Sequence, residues 1–220
     1  MKTATFTRQA FLFCALTTLA GSGFGATVTL TLDSSAAETT NNSSKATQNL
    51  DPNPLWATAL NGSHWISNTQ SGNPSDPGYF SPPNGTDVVF SDTFTLNGTP
   101  TGGSVKVMAD DTAAVYLNGV ALEAFAPTQG NTYFVCSDFT IGCSSATTGT
   151  INIAASELKT GVNVLSFQVL QTHGISYGLD YSGTVGYTTP SCTPTPEPGT
   201  LALLGLPLIS FGMIARKRKA

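Results

Sequence analysis

From Asp87 onward, apolar side chains recur at every second position in short runs separated by turn-forming residues, and no other feature restricts the fold as strongly. Val89 to Leu96 sets Phe90, Phe94 and Leu96 on one face before Asn97-Gly98 turns the chain. Ser104 to Met108 points Val105 and Val107 one way and Lys106 the other. Ala113 to Leu117 repeats the pattern with Val115 and Leu117, and Asn118-Gly119 is the residue pair that a type I′ hairpin demands before Val120 to Leu122. Thr150 to Ile153, Val162 to Leu170 (Leu165, Phe167, Val169) and Tyr177 to Val185 (Leu179, Tyr181, Val185) continue it, and Ala26 to Leu32 supplies an earlier example with Val28, Leu30 and Leu32. A period of two is that of a strand with one buried face. Such runs at this spacing, with no long helical period between them, predict an all-β antiparallel β-sandwich or jelly roll.

The stretches between these runs are polar or rich in Gly and Pro. Residues 33–53 hold few apolar residues and many Ser, Thr and Asn, which predicts a long mobile loop. Leu55-Trp56 and His64-Trp65-Ile66 flank the turn Asn61-Gly62, and Asn68 to Gly85 is a second loop whose Tyr79 and Phe80 lead back into the fold. The rings of Trp56, Trp65 and Tyr79 suit a platform on which the C–H face of a sugar stacks. The commoner use of such tryptophans is to cover the ends of a sandwich core, and that is the expectation adopted.

Both ends of the chain carry addresses. Lys2 and Arg8 precede the apolar run Phe11 to Ala20 and then small residues, the form of a secretory signal peptide over residues 1–25. Cys14 lies inside the apolar run, not after it, which disfavours a lipoprotein signal. At the other end, a Pro-rich stalk over 190–199 contains Pro196-Glu197-Pro198, followed by an apolar run, Leu201 to Ala215, and the cluster Arg216-Lys217-Arg218-Lys219. At about 1.5 Å per residue the run approaches the ~30 Å hydrocarbon core and inserts with local thinning, so 200–220 is predicted to be a transmembrane helix with a basic tail. The four cations stop transfer and stay on the cytoplasmic side, which puts residues 26–189, the predicted sandwich domain, outside.

This order of motif, apolar run and basic tail resembles the PEP-CTERM sorting signal of Gram-negative bacteria. The resemblance implies Sec-dependent export, an inner-membrane-anchored precursor, processing by exosortase near Pro196-Glu197-Pro198, and release to the envelope, outer surface or exopolysaccharide matrix. A GPI signal lacks the basic stop, a Gram-positive wall signal needs a Leu-Pro-x-Thr-Gly motif, and a plain C-terminal anchor on a Pro-rich stalk is the simplest rival. Pro207 departs from the usual pattern by removing a helix hydrogen bond in mid-run. Within the domain, Ala109 to Val120, Leu158 to Val169 and Gly178 to Tyr181 resemble the galactose-binding-like jelly roll of secreted bacterial proteins. That family includes sugar binders and spacers alike, so the resemblance does not fix a function.

Only 10% of residues are charged, the net charge is −4, and the basic clusters sit in the two addresses. Nucleic acid is therefore not an expected partner. Cys136 and Cys143 flank a six-residue segment and would pair most simply with each other in an oxidising compartment; Cys192 then stays free or exchanges into another pairing, and a metal site built on the three is disfavoured. Neither His64 nor His173 has a Cys or acidic partner nearby in sequence, and no hydrolase elbow, zinc-protease motif or phosphate loop occurs. No cofactor is implied, and no metal beyond a weak Ca²⁺ candidate at Asp110-Asp111, whose plainer reading is that one acid shapes the bend and the other faces water. The sequence thus predicts a non-enzymatic structural or adhesive protein of the cell surface. A carbohydrate-binding module is the alternative, and a secreted hydrolase the third reading.

Overall fold

The computed structural model describes residues 25–123, 148–172 and 174–190. The predicted signal peptide apart from Gly25, the Cys136/Cys143 pair, Cys192, the Pro196-Glu197-Pro198 motif and the stop-transfer cluster lie outside the described residues. So does the expected span from Leu201 to Ala215; among the described residues no helix is long and apolar enough to cross a membrane.

Among the described residues eleven strands follow one another: β1 (Thr27–Asp33), β2 (Thr39–Asn41), β3 (Gln48–Asn49), β4 (Ile66–Ser67), β5 (Asp87–Leu96), β6 (Thr99–Asp110), β7 (Thr112–Leu117), β8 (Val120–Glu123), β9 (Gly149–Ile153), β10 (Gly161–Leu170) and β11 (Gly178–Thr188). One 3-10 turn, Ala155–Glu157, precedes β10. They form two antiparallel sheets. The first runs β3-β4-β11-β6-β9, with β1 also on β11; the second runs β2-β5-β10-β7-β8. The expected all-β sandwich is the fold.

Alternation decides which side chains fill the space between the sheets. Phe90, Phe94 and Leu96 of β5, Val105 and Val107 of β6, Val115 and Leu117 of β7, Leu165, Phe167 and Val169 of β10 and Leu179, Tyr181 and Val185 of β11 pack in one cluster. Phe167 and Tyr181 stack across the two sheets with ring centroids 4.3 Å apart. Two fully buried phenols are satisfied: Tyr177 Oη donates to Val169 O at 2.8 Å, and Tyr181 Oη shares a 2.8 Å hydrogen bond with Thr39 Oγ1. Burial pushes both phenols well above their ordinary pKa. The β7–β8 hairpin has the positive φ at both central residues, Asn118 (54°) and Gly119 (82°), that a type I′ turn requires. Asn163, fully buried, uses its whole amide there: Oδ1 accepts from Asn118 Nδ2 and Lys159 N, and Nδ2 donates to Lys159 O and Gly161 O.

The segment 33–53, expected to be a long mobile loop, carries the short strands β2 and β3. Polar residues supply the contacts that apolar ones supply elsewhere. Thr39 is buried against Tyr181, Asn49 Oδ1 accepts from Ala36 N at 2.8 Å, and Asn41 Oδ1 accepts from Ser43 N at 2.9 Å. β2 pairs Thr39–Asn41 with Phe90–Asp92 of β5, and β3 pairs with β4.

The two ends of the sandwich differ. At one end β6 passes through Asp111 into β7, β10 ends at Leu170 and β11 begins at Gly178, beside the long connection between β3 and β5. At the other, β1 begins and β11 ends side by side: Thr189 N donates to Ala26 O at 2.9 Å and Ala26 N to Thr189 Oγ1 at 3.1 Å.

Candidate functional site

The loop end is built on the outer face of the first sheet. Val107, Ala109, Leu179 and Tyr181 face inward, so Met108 and Asp180 between them face outward. Leu50, Trp56, Trp65 and Met108 make a second apolar cluster there, and the two indoles stack with centroids 4.3 Å apart and planes inclined by 29°. Trp65 is 1% exposed and Trp56 7%. Trp65 Nε1 donates to Ala57 O at 3.1 Å and Trp56 Nε1 to Asp110 Oδ2 at 2.7 Å. Gly178 lies beneath; a Cβ there would stand 3.0 Å from Trp56 Cη2 and 3.2 Å from Leu50 Cδ1, closer than ordinary packing. Both expectations for the tryptophans are corrected by this geometry. Their faces are spent on each other, so neither presents a plane to a sugar, and they cover the back of a sheet instead of an end of the inter-sheet core.

Asp180 anchors the segment over this second cluster. Its Oδ1 accepts from Ser34 Oγ at 2.9 Å and its Oδ2 from Leu60 N at 2.8 Å, and the residue is fully buried. Burial raises the Asp180 pKa, against the opposing pull of hydrogen bonds from Ser63, Leu60 and Ser34 and of the nearby His64.

Asp110 and Asp111 are hydrogen-bond acceptors for the chain itself. Asp111 Oδ2 takes bonds from Thr172 N and Oγ1, which is the turn-shaping role expected of one acid. The other acid, Asp110, accepts a hydrogen bond from the Trp56 indole N–H, where the expectation was that one of the two would face water. No group of three or more His, Cys, Asp or Glu able to hold a metal occurs among the described residues.

What this end offers to solvent comes from its connecting segments. Leu55, Phe80 and Ile175 are each about half exposed or more, at 59%, 50% and 55%. Phe80, where the loop leads back into the fold, donates its backbone N to Gln70 O at 2.8 Å while its ring stays outside, with Lys45 Nζ 5.2 Å from the ring centroid. Tyr79, half-buried, donates its hydroxyl to Ile175 O. Asn53 Nδ2 donates to Ser176 Oγ at 2.9 Å, tying the Leu55 segment to the Ile175 segment. Beside them Asn73 Nδ2 donates to Asp51 Oδ2 at 3.0 Å, and Asp76 has its pKa raised by partial desolvation and by the carboxylate of Asp51. Of the three predicted ring contacts only Tyr79 belongs to this surface. The signal for the others was the presence of Leu55, Phe80 and Ile175 in segments without strand alternation, where an apolar side chain has no sheet face to occupy.

No protein-family model and no curated protein matches the chain. Among solved structures, it is similar to an alpha-L-rhamnosidase of Streptomyces avermitilis complexed with L-rhamnose, at 21% identity and a TM-score of 0.41, over 67% of this chain and 14% of that one. It is also similar to a family 35 carbohydrate-binding module of Clostridium thermocellum, at 12% identity and a TM-score of 0.37, over 70% of this chain and 97% of that module.

Proposed function

We propose that this chain is an exported, non-enzymatic adhesive protein of the cell envelope or extracellular matrix, whose loop end binds polysaccharide. The observation that carries the reading is the opposition of the two ends. Leu55, Tyr79, Phe80 and Ile175 gather where the loops are, and the chain enters at Ala26 and leaves at Pro190 at the far end. The aromatic side chains Tyr79 and Phe80 therefore lie at the end of the sandwich away from Ala26 and Pro190; at the Ala26 and Pro190 end the exposed apolar residues, Val120 and Val162, are aliphatic. The sorting route is that of the sequence: export by the signal peptide through the Sec machinery, arrest by Leu201 to Ala215 with Arg216 to Lys219 inside, and exosortase processing near Pro196-Glu197-Pro198.

The chemistry of the loop end favours a neutral glycan. A pyranose lays its C–H face on the Phe80 ring, and Asp51 and Asp76 accept from its hydroxyls. Lys45, Lys106 and Lys159 are the only lysines or arginines among the described residues, against many acids, so a polyanion is repelled. Retention of the purified full chain in affinity gels tests this. Neutral polysaccharides are expected to slow wild type, uronate-rich ones not, and Phe80→Ala to abolish the retardation at an unchanged melting temperature. Equal retention of wild type and Phe80→Ala would remove the loop end from the binding surface. Mass spectrometry of the mature protein from cells checks the sorting route, with both termini trimmed as the expected result.

A further inference from the structure

We infer that β11 is a strut that carries tension from the loop end to the point where the chain leaves the domain. This rests on the reading above for what is attached at each end. Several of the hydrogen bonds that hold the loop end together converge on the first residues of this strand or just before it. Ser71 Oγ donates to Tyr177 O at 2.6 Å and Tyr177 N to Ser71 O at 2.9 Å. Ser176 Oγ accepts from Asn53 Nδ2 and donates to Gly72 O, both at 2.9 Å. Ile175 O accepts from Tyr79 Oη, and Asp180 Oδ2 holds Leu60 N at 2.8 Å. Four separate segments, around residues 53, 60, 71 and 79, are thus fastened to one short stretch, 175–180.

From that stretch the chain runs without interruption to its exit. β11 extends over 11 residues, roughly 35 Å at the antiparallel rise, and its last residue stands two before Pro190. Its backbone is extended from Gly178 to Thr188, with one shift of register against β6 between Gly186 and Tyr187, so tension along β11 has little slack to draw out. Along its length it is flanked by β6 on one side, with β4 at Leu179 and then β1 on the other. Ladder hydrogen bonds lie perpendicular to the strands, so a load along β11 acts on all of them together in shear. Load applied between the first and last strands of the domain, at Thr27 and Thr188, acts differently. It pulls Thr27 of β1 from Thr188 of β11 at the same end of one ladder and opens it pair by pair. The fold therefore resists pulling between its loop end and Pro190, and yields to pulling between Thr27 and Thr188.

Single-molecule force spectroscopy on the full chain tests this without any glycan present. One handle stays at the C-terminus; the other is placed at Ser75, exposed at the loop end, or at Thr27, exposed at the start of β1. Rupture in the Ser75 geometry is expected at several-fold higher force than in the Thr27 geometry, and equal or lower force overturns the proposal. Asn53→Ala combined with Ser71→Ala is expected to weaken the Ser75 geometry alone. Equal weakening in both geometries would mean that these bonds serve general stability, and would also count against a strut. Directional resistance in a chain that retains no polysaccharide leaves the strut standing and removes the binding reading, and the reverse result separates them the other way.

Discussion

The inter-sheet core and the cluster on the outer face of the first sheet are both dry and aromatic, yet they are made by different rules. Between the sheets, β5, β6, β7, β10 and β11 each contribute residues at every second position, so the cluster rests on many moderate contributions. Outside, a strand offers only Met108, and Leu50, Trp56 and Trp65 come from irregular chain. Two large rings do there what a dozen alternating residues do inside, and three polar anchors, Asp110, Ala57 O and Asp180, fix the covering segment. The inner core defines the sandwich; the outer one fastens the loops to it.

The largest effect should come from Phe167→Ala, which empties the centre of the inner core beside Tyr181 and is expected to cost about 3–5 kcal/mol, seen as loss of the cooperative thermal transition. Trp65→Ala removes a side chain of larger volume but from the outer cluster, at about 3 kcal/mol. It is expected to release amide protection in residues 50–65 and leave that of β5, β7 and β10 intact. Uniform loss of protection after Trp65→Ala would show that the two clusters form a single cooperative unit and that the contrast is wrong.

The smallest effect concerns Asp180. Its folded pKa lies above the unfolded value, so the folded state holds the extra proton, and the group's contribution to stability is fully present below the unfolded pKa and lost as pH rises through the folded one. Asp180→Asn keeps a neutral acceptor and replaces the other oxygen with a donor, a cost of about 1 kcal/mol for one lost hydrogen bond. Melting curves of both proteins taken from acid to neutral pH should converge as pH rises, and a constant gap would mean that Asp180 does not titrate within the range.

Much of the inner core is legible in the amino-acid order alone. Alternation marks Phe90, Leu117, Phe167 and Tyr181 because a strand between two environments forces a period of two. Asn118-Gly119 announces its hairpin because few residues tolerate positive φ in succession. The outer cluster is not legible in this way, since Trp56 and Trp65 are brought together by a turn and by Gly178, over a hundred residues away, and no periodicity links them. β2 escapes for a related reason: Thr39 is buried through a hydroxyl pair with Tyr181, a contact that polar composition conceals. Phe80 and Ile175 are hidden in the opposite sense, as apolar residues that the fold leaves outside.

The pairing of Ala26 with Thr189 has one more consequence. A domain whose first and last residues meet in this way, cut at Ala26 and Pro190, can be spliced into a host protein through a short linker at each junction, with little strain on the host. It should equally survive being closed into a ring and reopened elsewhere, for instance at the exposed Gly119 of the β7–β8 turn, because no strand would have to be cut.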